Sequence, residues 1–132
     1  MATRKKATGP ALLFGTSAKR TSDLVHVRTI VESVAEALGL DVPVMLSRRR
    51  TWYLTEARYV AAFLIRARLH LGAREIAFLI GFQDHTTVLD GIKQVSRRAR
   101  ANAWRGFIDE IDRDSLRRFA QAAGSGGHDD DR

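Results

Sequence analysis

Residues 84–88 read Asp-His-Thr-Thr-Val, and they stand directly ahead of an amphipathic helical pattern. A carboxylate at Asp84 can accept from the free N–H groups of a helix's first turn, the chemistry of an N-cap. His85, Thr86 and Thr87 then occupy that turn and point outward. What they offer is recognition. A carboxylate accepts from a cytosine amino group, threonine methyls touch thymine methyls, and hydroxyls bond bases or phosphates. The imidazole adds one donor and one acceptor. A helix that carries such groups at its N-terminal end suits entry into a DNA major groove. Taken alone, the run fits an ordinary helix start; its surroundings favour the reading role.

Catalytic and metal chemistry find no footing in the sequence. The other histidines, His26, His70 and His128, lie in unrelated places, and no serine stands near His85. There is no cysteine, which excludes disulfides and thiolate metal sites and fits a reducing cytoplasm. Residues 15–20 lack the G-x-x-x-x-G-K-S/T pattern of a phosphate loop. The expectation is a non-enzyme with no cofactor and no metal. No apolar run approaches the roughly 20 residues that span a bilayer. Ala11-Leu12-Leu13-Phe14 is too short for a signal-peptide core. The expected location is the cytoplasm, at the nucleoid, with no membrane partner and a monomeric state.

Charge narrows the partner. The 132 residues carry 22 Lys+Arg against 15 Asp+Glu, a net charge of +7. Residues 41–100 hold eleven basic and five acidic groups, whereas residues 101–132 hold five basic and seven acidic ones. A basic middle between milder segments is the footprint of a nucleic-acid binder.

The elements that must position these groups follow from helical spacing; strand alternation is absent. Residues 1–20 read as a flexible basic arm, broken by Gly9-Pro10 and Gly15. A first helix starts near Ser22 as N-cap, with Asp23 on the dipole, and buries Leu24, Val27, Ile30, Val31, Val34 and Leu38 before Gly39. One short turn holds Pro43, and a basic loop follows at 47–51. A long helix over 55–71 buries Ala57, Val60, Ala61, Leu64 and Ile65 and ends at Gly72. A helix over 73–80 turns through Gly81-Phe82-Gln83-Asp84 into one over 85–98, which buries Val88, Leu89, Ile92 and Val95. The last helix covers 102–122, burying Trp104, Phe107, Ile108, Ile111, Leu116 and Phe119. Residues 123–132 read as a disordered acidic tail. Residues 21–122 thus form an all-α domain containing a helix-turn-helix.

Cations surround the reading residues. Arg48-Arg49-Arg50 lies in a loop, where a guanidinium can reach a narrow minor groove. Arg58 and Arg74 fall near helix starts, where the dipole disfavours cations; such placement points to phosphate contact.

With these residues in place, the stretch from Ile30 to about Val95 resembles the C-terminal DNA-binding domain of the bacterial chromosomal replication initiator DnaA. The likeness rests on Val34-Ala35-Glu36, the Val42 turn, the Ser47-Arg48-Arg49-Arg50 loop, the Arg58 helix, Glu75-Ile76 before Gly81, and Asp84-His85-Thr86-Thr87-Val88-Leu89. It implies an all-α, Trp-repressor-like domain that binds double-stranded DNA at the short initiator box. Arg50 would take the minor groove, and Asp84, His85, Thr86 and Thr87 the major-groove bases. Arg48, Arg49, Arg58, Arg74 and Lys93 would contact the phosphate backbone.

The chain departs from the family pattern at three places. Gly81-Phe82-Gln83 stands where the family usually has Gly-Gly-Arg, Asp90 where a neutral or basic residue is common, and Trp52 where a basic residue often follows the loop. The ATP-binding motor of the full initiator has no counterpart in the 132 residues. The expectation is a regulator of replication initiation, or of transcription at initiator boxes, acting without ATPase activity. The alternative is a protein-interaction module that mimics the domain to recruit or titrate replication-initiation regulators; the protein partners expected beside DNA are the initiator or its regulators.

Overall fold

The computed structural model describes the backbone of residues 17–82 and 84–130. Among these residues the chain is all-α. The helices are α1 (Ser17–Leu38), α2 (Val42–Met45), α3 (Trp52–Leu69), α4 (Ala73–Ile80), α5 (His85–Ala99) and α6 (Asn102–Asp130). α1, α3 and α5 converge on one core, in which Ile30, Val34, Val60, Ile65, Ile76, Ile80, Val88 and Val95 are buried. Burying an aliphatic side chain of this size is worth about 1.5–3 kcal/mol, so this core carries the domain. α6 lies antiparallel along α1. His26 stacks on Phe119 at 4.4 Å, and Arg118 reaches back to Glu32 and Glu36.

Several boundaries differ from the expected ones. α1 begins at Ser17, not Ser22, so residues 17–20 are helical; the rest of the expected arm, 1–16, lies outside the described residues. Ala18, Lys19 and Arg20 are good helix formers, and Lys19 pairs with Asp23 at 2.8 Å one turn on. Leu24 is only half-buried and Leu38 is exposed, while Ala35 is buried. α3 starts three residues early, because Thr51 takes the extended N-cap conformation and its carbonyl accepts from Thr55 N–H at 3.1 Å. α3 also ends early, with His70 in the left-handed conformation (φ 58°). Gly72 instead caps α4, its N–H donating to the Glu75 carboxylate at 3.3 Å. Leu89, expected in the core, is exposed. The backbone of α6 continues to Asp130, past the expected end at Ala122 and through most of the expected disordered tail. No proline interrupts it, and extending a helix already formed needs no new nucleus.

Arg58 departs furthest from its expected place. With α3 starting at Trp52, it falls in the second turn, away from the N-terminal dipole, and it is buried. Its Nε donates to the Met45 carbonyl at 2.8 Å and its Nη2 to the Ser47 carbonyl. The C-terminal carbonyls of a helix have no partners within it. The guanidinium supplies them for α2 and the loop behind it, so Arg58 is not a free phosphate contact.

Two glycines control close approaches. Gly81 ends α4 at φ 87°, and a Cβ there would sit 2.9 Å from the Leu46 carbonyl oxygen. At Gly91 a Cβ would fall within 2.2 Å of the Tyr59 ring, so α5 crosses α3 closely only because position 91 has no side chain.

Two stability measurements check this account. Gly39→Ala meets only the left-handed penalty of about 1–2 kcal/mol, because its Cβ would have open space. Gly81→Ala meets that penalty and a backbone clash, so its denaturation midpoint should fall further. Arg58→Met should cost about 2–3 kcal/mol through two orphaned carbonyls. An arginine that only touched DNA would change stability by no more than about 0.5 kcal/mol.

Candidate nucleic-acid interface

The start of α5 is built as its sequence suggests. Asp84 is extended (φ −149°, ψ 138°), and its carboxylate accepts from Thr86 N–H at 2.7 Å and from the Thr86 hydroxyl. Asp84 and Thr86 are exposed, while His85 and Thr87 are half-buried. The turn before them is held from α4, since Gly81 and Phe82 both donate N–H to the Ala77 carbonyl, at 3.0 and 2.9 Å. Two donors on one late carbonyl satisfy the end of α4 and aim the chain into α5. Gln83 lies outside the described residues.

Two clefts flank this helix start. One, of about 450 Å³, brings Arg48 and Arg50 from the loop together with Thr55, Phe82, Asp84 and Thr87. The other, of about 670 Å³, joins Arg74 and Phe78 of α4 to Phe82, Asp84, His85 and Thr86. Asp84 and Phe82 line both, so the tip of α5 is a ridge between them. The structure thus brings together Arg48, Arg50, Arg74 and the four residues 84–87. Arg49 is exposed on the same loop but lines neither cleft, and its N–H donates to Ser47 Oγ at 3.3 Å. Lys93 is exposed two turns further along α5, on the face of Thr86. Arg58 lines the first cleft from a buried position, occupied by its two carbonyls.

Three residues of this surface escape a reading of the sequence. Phe82 stacks on Tyr59 at 5.8 Å and lines both clefts. Phe78 and Leu89 are exposed apolar side chains beside the polar helix start. Their signal is periodicity: Ile76, Ala77 and Ile80 already fill the buried face of α4, which leaves position 78 outside. Asp90 is exposed on α5, and its carboxylate accepts from Gln94 at 2.9 Å.

The electrostatics of the ridge are set by the cap. The Thr86 hydroxyl and then the Thr86 N–H hold the Asp84 carboxyl below the usual aspartate range. A carboxylate with a lowered native value stabilises the fold above its unfolded value, and that contribution is lost as pH falls through the native one. An NMR titration of Asp84 should therefore give a midpoint below the ordinary range, and Thr86→Val, which removes the first donor, should raise it. A midpoint unmoved by that substitution would remove the hydroxyl from the account.

The matches with known proteins fall on this part of the chain. The model of the bacterial dnaA protein helix-turn-helix matches residues 27–95. The chromosomal replication initiator protein DnaA of Thermodesulfovibrio yellowstonii is 32% identical over 73 residues, covering 55% of this chain and 17% of the relative. That of a Synechococcus strain is 35% identical over 71 residues, covering 54% and 15%. That of Treponema denticola is 28% identical over 103 residues, covering 76% and 21%. The chain thus spans about a fifth or less of these curated relatives. No solved structure matches it significantly. No described helix is long and apolar enough to cross a membrane. The matched residues take in most of the core, the arginine loop, α4 and α5 as far as Val95, and the chain belongs to the bacterial DnaA helix-turn-helix family.

Proposed function

We propose that this chain binds double-stranded DNA sequence-specifically at initiator-box-like sites and regulates replication initiation, or transcription at such sites, without ATP hydrolysis of its own. The observation that carries this reading is the cleft shared by Arg48, Arg50, Asp84 and Thr87. A loop arginine beside the exposed tip of a helix suits a duplex whose minor and major grooves are gripped together. Arg50 enters a narrow minor groove, where A·T-rich DNA has enhanced negative potential. Asp84, His85, Thr86 and Thr87 face base edges, Asp84 with the lone pairs that the cap leaves over. Arg48, Arg49, Arg74 and Lys93 serve the phosphates, and Arg58 serves them by holding the loop.

A second reading, a module that binds the initiator or its regulators in place of DNA, has one observation in its favour. Trp52 and Tyr53 are exposed and line an apolar groove with Leu38, Leu40 and Trp104, on a surface that the DNA reading does not use.

Anisotropy titrations on box duplexes with varied flanks separate the two. Arg50→Ala should weaken binding to A·T-flanked boxes far more than to G·C-flanked ones. Thr87→Ala should cost about 1–3 kcal/mol on the box and much less on scrambled DNA. Arg48→Ala should lower affinity for every sequence and reduce the salt slope by about one unit. If the unmodified chain shows no box preference at moderate salt and Arg50→Ala changes nothing, the module reading takes its place.

A further inference from the structure

We infer that Phe78, with Arg74 one turn before it, is a further DNA-contact residue of this chain, and that its ring meets a thymine methyl beside the bases faced by the start of α5. This rests on the DNA-binding reading above and extends it from α5 to α4.

Phe78 is 82% exposed, more than any other large hydrophobic side chain among the described residues. No packing requirement explains it, because α4 meets the core through Ile76, Ala77 and Ile80. Its neighbours say where it faces. The 670 Å³ cleft that it lines is shared with Arg74, Asp84, His85 and Thr86. A duplex seated on the α5 tip would therefore cover the ring and remove its apolar surface from water, which is favourable. On a major-groove edge the apolar complement of a phenyl ring is the thymine C5-methyl group. Arg74 and Phe78 are four residues apart on one helix, hence neighbours on one face. Arg74 can then take the phosphate next to the contacted base while the ring meets its methyl. A protein partner for Phe78 is the other possibility. The polar, base-facing lining of the cleft favours DNA.

The test uses the full chain and box duplexes in which each thymine, in the box and its near flanks, is replaced singly by uracil. That replacement removes one methyl group and nothing else. One position should weaken wild-type binding roughly four-fold, the worth of one buried methyl. Phe78→Ala should bind the all-thymine duplex at least that much more weakly and be indifferent to uracil at that position, with an unchanged salt slope. Phe78→Leu, which keeps apolar contact, should recover part of the difference. A thermal melt of each variant confirms folding, and the uracil series on the wild-type protein needs no variant. If wild type prefers the box but Phe78→Ala matches it on every duplex, Phe78 serves a protein contact or none; the inference fails and the box reading stands. If wild type shows no box preference, both fall.

Discussion

The buried guanidinium of Arg58 is the interaction on which the geometry of the interface depends. It donates to the Met45 and Ser47 carbonyls and so fixes the end of α2 and the root of the arginine loop against α3. Between those two residues, the Leu46 carbonyl lies under Gly81, at the turn into α5. Residues 45–47 are therefore clamped between α3 and the helix-turn-helix. Wherever Arg50 and Asp84 stand relative to each other, this three-residue segment sets it. A buried cation with one partner removed is costly, so the clamp cannot be loosened at one end alone. Burial also lowers the Arg58 pKa, but an arginine stays charged near neutrality.

Behind the clamp the structure relies on apolar packing, with ion pairs as fastenings at the edges. Arg68–Asp112, Arg98–Glu56 and Arg118–Asp114 are all partly exposed, and pairs of that kind contribute little each. Arg98 also lies over the Trp104 ring at 5.1 Å, which seals the junction of α5 with α6. This division leaves the outer face of the helix-turn-helix without a part in the apolar packing. Thr86, Phe78, Leu89 and Arg74 can all be exposed because Ile76, Ile80, Val88 and Val95 hold the same two helices from behind.

Much of this was legible in the residues. The 3.6-residue spacing of Val27, Ile30, Val31 and Val34, the left-handed glycines Gly39 and Gly81, and the Asp84 cap all point to what the structure contains. The misses share one cause, competition between local signals and tertiary contacts. Ser22 is a good start signal and Gly72 a good stop signal, but Lys19–Asp23 carries α1 back ahead of the first, and Glu75 turns the second into a start. Arg58 looks like any surface arginine until α2 is folded against it, because its partners are carbonyls 11 and 13 residues away and carry no side-chain signature. Leu89 fits the apolar pattern of α5, yet Val88, Gly91 and Val95 make the buried stripe there. The proximity of Phe78 to His85 depends on how α4 meets α5, which no spacing along one helix reveals.

The proposed DNA-reading surface joins the arginine loop to the tip of α5. Its most direct test is a binding titration of the unmodified chain against an initiator-box duplex and a scrambled duplex of the same composition, repeated at several salt concentrations. Both affinities should fall together as salt rises, through counterion release at the phosphates, while the ratio in favour of the box persists, since base contacts carry it. A ratio near one at moderate salt would contradict a base-reading role for this surface.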